Sequence, residues 1–241
     1  MKPHVLFIPP GYLLSLDAGL RSVPALNSFL AELETHFDVD ISITGDTDPQ
    51  PPRPGERTTS VRSDLRDGSH LVAFGWHSVE AMVALDGLDS VASFVSLGFQ
   101  PTPAMLRTAG MTTAADAYQA GILRRERAYA MVRVLFQGLD DHEVHAMAAQ
   151  LDRNVNPDRM HDYLEWLNDL DPLTSRPQIL PPTLYLTSRL DMGRLEDMFK
   201  KVIPHAEVDR LKNDFPSRLH DAESGIPPAR QVIAFIQRHS L

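Results

Sequence analysis

Apolar runs too short for helices recur along the chain, separated by stretches with helical periodicity. Residues 4–8 (HVLFI) form a short apolar run that stops at Pro9-Pro10-Gly11, the pattern of a buried strand entering a sharp turn. Pro24 opens a helical pattern carried by Leu26, Phe29, Leu30, Leu33 and Phe37. Val39, Ile41 and Ile43 alternate with polar residues, as in a half-buried strand. A Pro-rich loop follows from Gly45 to Gly55, and one or two helical turns fit the polar stretch 56–67. Residues 70–74 (HLVAF) and 91–97 (VASFVSL) are two further buried strands, flanking a helix predicted over Ser78 to Leu85. Short apolar strands alternating with helices predict a mostly parallel α/β sheet, doubly wound with helices on both faces.

The pattern changes after Pro101 and Pro103. Tyr118, Ile122, Tyr129, Val132 and Phe136 share one helical face, and further helices are expected over 140–151 and 157–169. Asp171 to Pro182 contains four prolines and reads as a linker back to the sheet. A strand (183–190), a helix (192–202), a weak strand (207–211) and a closing helix (228–239) complete the chain. The expected organisation is an α/β core from 1–104 and 177–241, with a helical cap or lid over 105–176.

Composition narrows the chemistry. Of 241 residues none is cysteine, which removes disulfides, thiolate nucleophiles and Cys-ligated zinc. A formal charge of −9 and scattered basic residues argue against nucleic-acid binding, which needs a basic face. No uncharged apolar run reaches the roughly 20 residues of a membrane span, so a cytoplasmic protein without membrane contact is expected. Asp141-His142-Glu143-Val144-His145 is not H-E-x-x-H, and no Walker or G-x-G-x-x-G loop occurs, so neither metal nor cofactor is expected.

Three positions carry the residue types for acyl transfer. Ser78 lies at a strand-to-helix turn, Asp191 after a later strand, and His220 between the last strand and the closing helix. A serine hydroxyl needs a base to take its proton, and the imidazole needs a carboxylate behind it. Singly, each has an ordinary reading: Ser78 as a helix cap, Asp191 as a turn residue, His220 as a surface histidine.

The order Ser, Asp, His resembles that of the α/β-hydrolase family. HLVAFGWHSVEAMVAL looks like that family's nucleophile elbow, with Ser78 as nucleophile. LPPTLYLTSRLD looks like its acid-bearing strand and VLFIPPGY like its oxyanion loop. The elbow reads Trp76-His77-Ser78-Val79-Glu80 in place of G-x-S-x-G, and an alternative register sets Gly75 as the first glycine with His77 at the nucleophile position. The resemblance implies catalytic Ser78, Asp191 and His220, oxyanion amides on Tyr12 and Val79, and Gly11, Trp76 and His77 around the substrate. It implies a small ester or thioester substrate, free or on a carrier protein, and no cofactor. It also implies two rival functions. One is a lyase, cyclase or oxygenase of secondary metabolism, using His220 and Asp191 as a base; the other is a catalytically silent binding protein. Tyr163 and Trp166 either line a pocket or pack the cap.

Overall fold

The computed structural model describes residues 2–9, 23–42, 53–122, 141–142, 145, 157–187, 193–212 and 221–240. Strand β1 (His4–Ile8) leads to α1 (Pro24–His36), β2 (Asp38–Ile41) and α2 (Glu56–Asp64). Next come β3 (His70–Phe74), α3 (His77–Ala84) and β4 (Ser93–Leu97). Helices α4 (Pro103–Thr108), α5 (Thr112–Ile122), α6 (Pro157–Asp169) and α7 (Pro172–Ser175) follow. The chain then returns through β5 (Thr183–Thr187), α8 (Arg194–Val202), β6 (Glu207–Arg210), a 3-10 turn (Ala222–Gly225) and α9 (Ile226–His239).

The six strands form one sheet in the order β2-β1-β3-β4-β5-β6, with every neighbouring pair parallel. The apolar runs have no polar alternation because the central strands are covered on both faces. Val5, Phe7, Val72, Phe74, Val95 and Leu97 face α1 and α9. Leu6, Ile8, Leu71, Ala73 and Phe94 face the layer built from α2, α3 and α8. At about 1.5–3 kcal/mol for each fully buried aliphatic or aromatic side chain, these two clusters dominate the fold's stabilisation.

Strand order reverses at β1, which pairs with β2 on one side and β3 on the other. In an open parallel sheet, the crevice beyond the carboxyl ends of strands at such a reversal is where ligands bind. The turn from β3 into α3 opens at this point.

The second core contains the α4 residues Met105 and Leu106 together with Ala115 of α5. Two side-chain bonds join the α6–α7 junction to α4. The Thr102 hydroxyl donates to the Leu170 carbonyl at 2.5 Å, and Thr108 donates to the Asp171 carboxylate at 2.5 Å. Between β4 and β5 the elements among the described residues are all helices. The expected helix over 140–151 lies mostly outside them. The expected linker after Asp171 contains α7, capped by the Asp171 carboxylate, which accepts from the Leu173 N–H at 3.0 Å. Among the described residues, no helix is long and apolar enough to cross a membrane.

Candidate active site

β3 delivers the chain to the sheet's carboxyl end, and the reversal into α3 is made at Gly75. Its φ of +58° is the left-handed conformation that costs other residues about 1–2 kcal/mol. The next residue, Trp76, is already right-handed helical at φ −63° and ψ −31°. The Gly75 N–H donates to the Leu97 carbonyl at 2.9 Å, and its carbonyl accepts from the Ser78 N–H at 3.2 Å and the Gln100 N–H at 3.4 Å. This tight turn is therefore held to the end of β4 on both sides.

In a nucleophile elbow the reactive side chain rises from the sharp turn between strand and helix. Here that residue is Gly75, so nothing rises. Ser78 lies in the first turn of α3 and is fully buried. Its hydroxyl donates toward the Ala73 carbonyl at 3.4 Å and accepts from the Ser96 hydroxyl at 2.7 Å. Ser96 is the register partner of Ala73, so these groups knot α3 to β3 and β4 at one point. The hydroxyl of Ser78, the expected nucleophile, is enclosed within the α3–sheet layer, three positions past the glycine at the turn. Nor is it the helix cap, since Trp76 is the N-cap and makes no side-chain capping bond.

The alternative nucleophile, His77, is also off the apex. It is the first residue of α3 and is 1% exposed. Its Nδ1 hydrogen-bonds the buried Glu80 carboxylate one turn along, and the Tyr163 hydroxyl of α6 lies 3.4 Å from the same nitrogen. The N–H of Val79, the expected oxyanion donor, donates to the Trp76 carbonyl at 2.9 Å. Of the expected site residues, Gly11, Tyr12, Asp191 and His220 lie outside the described residues.

Trp76 is half-buried and packs with Trp166 and Leu170 against the α6 cluster of Tyr163, Leu164 and Leu167. The Tyr163 and Trp166 ring centroids are 5.9 Å apart. These are the chain's two tryptophans, brought from distant segments to one patch beside the turn. The two readings open for Tyr163 resolve toward packing, since it is 1% exposed.

Gln100 was not singled out by sequence reasoning. It follows β4, its side chain is exposed, and its Oε1 lies 3.6 Å from where a β-carbon on Gly75 would sit. No local motif marks such a residue, because its position depends on β3–β4 pairing. Gly75 did carry a signal: it is a glycine directly between a buried strand and a helix, where a left-handed residue is needed.

Asp141, His142 and His145 of the candidate metal motif are exposed, and His145 Nδ1 donates to the Asp141 carbonyl at 2.6 Å. Among the described residues no cluster of His, Asp and Glu is arranged to hold a metal ion. At the opposite end of β3, His70 is 1% exposed, with Nδ1 2.8 Å from the Ser93 hydroxyl and Nε2 3.2 Å from that of Ser240. Burial, reinforced by His239 and His4, lowers its pKa to about 4.

No family model and no curated protein matches the chain. Solved structures do. A hydrolase from Oleispira antarctica superposes with a TM-score of 0.67 at 13% identity, covering 98% of this chain and 91% of the other. MenH from S. aureus gives a TM-score of 0.66 at 15% identity, covering 100% and 96%. The enol-lactonase from Burkholderia xenovorans LB400 gives 0.60 at 13%, covering 98% and 92%. The chain has the α/β-hydrolase fold.

Proposed function

We propose that this α/β-hydrolase-fold chain is a hydrolase-type enzyme for a small ester or thioester that forms no acyl-enzyme. The reading is carried by one observation: the elbow apex is Gly75, while the Ser78 hydroxyl is buried against Ser96 and Ala73. The hydrolases with which the fold superposes support the reaction class. Asp191 and His220, which follow β5 and β6 in the chain, supply the base. His220, oriented by Asp191, takes a proton from water as the water oxygen attacks the substrate carbonyl. Collapse of the tetrahedral intermediate expels the alcohol or thiol, which regains that proton from the imidazole. Trp76 forms one wall, α6 packs beside it, and the substrate arrives free or on a carrier protein in the cytoplasm.

A fluorophosphonate probe followed by mass spectrometry tests this. The expected result is no adduct at Ser78, turnover retained in Ser78→Ala and lost in His220→Ala. An adduct on Ser78 would overturn it. Products that arise by elimination or cyclisation instead of hydrolysis would mean that the same base draws its proton from the substrate. The glycine apex also favours a second reading, a binding protein on a hydrolase frame. Tight binding with no turnover across an ester and thioester panel would identify that.

A further inference from the structure

The β3–α3 turn leaves an opening that a side chain fills in a working elbow, and Gln100 borders it. Its backbone N–H donates to the Gly75 carbonyl at 3.4 Å, fixing it over the turn. Its Oε1 stands 3.6 Å from the unoccupied β-carbon position of Gly75, in ordinary van der Waals range. The side chain is exposed. A carboxamide carries two donors and an acceptor on one planar group, so by rotation it presents either Nε2–H or Oε1. Next to Gly75 in the chain, Trp76 joins Trp166 and Leu170 in a partly exposed apolar patch. A polar group at a glycine turn beside an aromatic wall suits a ligand with a carbonyl head and an aliphatic tail.

We propose that Gln100 is the specificity-determining group of this site, donating Nε2–H to the ligand's carbonyl over Gly75 while the acyl chain packs on Trp76 and Trp166. The proposal rests on the reading above that substrate binds at this turn, and it adds the residue that recognises the carbonyl.

The chain's two tryptophans both lie in this patch, so intrinsic tryptophan fluorescence reports on this site alone. Octanamide, which has the carbonyl and the tail but no leaving alcohol or thiol, is the probe. Titration of the wild-type chain is expected to change the fluorescence saturably. Gln100→Leu is expected to weaken octanamide about five- to tenfold, the loss of one net hydrogen bond. Gln100→Asn, with a shorter carboxamide, is expected to fall between them. Thermal melting of each variant shows that an exposed position has not altered folding. Equal affinity in wild type and Gln100→Leu overturns the proposal, as does absence of octanamide binding by the wild type. His220→Ala separates the two claims. If it abolishes turnover while Gln100→Leu binds normally, only the role of Gln100 fails. A fluorophosphonate adduct on Ser78 overturns the catalytic reading whatever Gln100 does.

Discussion

The Ser96 hydroxyl, on β4, donates to the Ser78 hydroxyl, on α3, across 2.7 Å in a fully buried setting. Two short polar side chains thereby satisfy each other between α3 and the sheet. Removing one leaves the other without its partner.

Ser78→Ala is therefore expected to cost about 1–2 kcal/mol in urea denaturation, since the Ser96 hydroxyl loses its acceptor. Turnover per folded molecule should stay within a few-fold of wild type. A thousand-fold loss in a folded variant would restore Ser78 to the chemistry.

Gly75→Ala places a methyl group in van der Waals range of Gln100, so its cost is set by the backbone. About 1–2 kcal/mol is expected for φ +58°. Gly75→Ser puts a hydroxyl at the apex instead. Fluorophosphonate labelling, absent in the wild type, is expected to appear at position 75 in that variant and to vanish when His220→Ala is added.

Gly225 is needed for a different reason. It precedes α9 at an ordinary negative φ, but a β-carbon there would lie 1.9 Å from the Ala25 carbonyl oxygen of α1. The obstacle is backbone, so no rotamer change relieves it. Gly225→Ala is expected to cost more than about 3 kcal/mol or to abolish soluble expression, measured against Gly87→Ala, where nothing lies within 4 Å and only the left-handed φ is penalised.

His70 makes stability depend on pH. Its pKa is about 4 in the folded chain against 6.5 for the free side chain, chiefly through burial and secondarily through His239 and His4. Between those values the unfolded chain binds the proton and the folded chain does not. The contribution is complete above pH 6.5, shrinks as pH falls, and is lost below about 4. It amounts to at most about 3 kcal/mol. Urea midpoints should decline over that window, and His70→Gln should flatten the decline.

The layered fold was legible because its causes are local. HVLFI, HLVAF and TLYLT carry apolar residues at consecutive positions, a pattern that two-sided burial explains, and α1 and α9 carry one-sided stripes. Among the described residues the expected strands and helices are found, with shifts at their ends, while α4 and α7 are additional and the stripe from Tyr129 to Phe136 lies outside the described residues. Phe37, expected to extend the α1 stripe, instead caps that helix in extended conformation while its ring stays in the core. The polar stretch after the Pro-rich loop forms a nine-residue helix, α2, bound to the core through Val61.

At the site, the turn and its residue types could be read from the sequence, but the register could not. Ser78 and His77 are the reactive side chains near the strand end, and counting from them sets the apex too late. The apex falls on Gly75 because φ +58° is cheap for glycine alone and because Leu97 of β4 holds its N–H while Gln100 and Ser78 hold its carbonyl. A serine three positions later then turns inward and meets Ser96. Hydrophobic periodicity thus determined the strands and the helices, since each of those depends on neighbours in the chain, and their alternation determined the parallel class of the sheet. Tertiary structure alone decided what stands at the turn: Gln100 over Gly75, and Trp166 beside Trp76. Those pairings arise from strand register and helix packing between segments far apart in sequence, which no local pattern encodes.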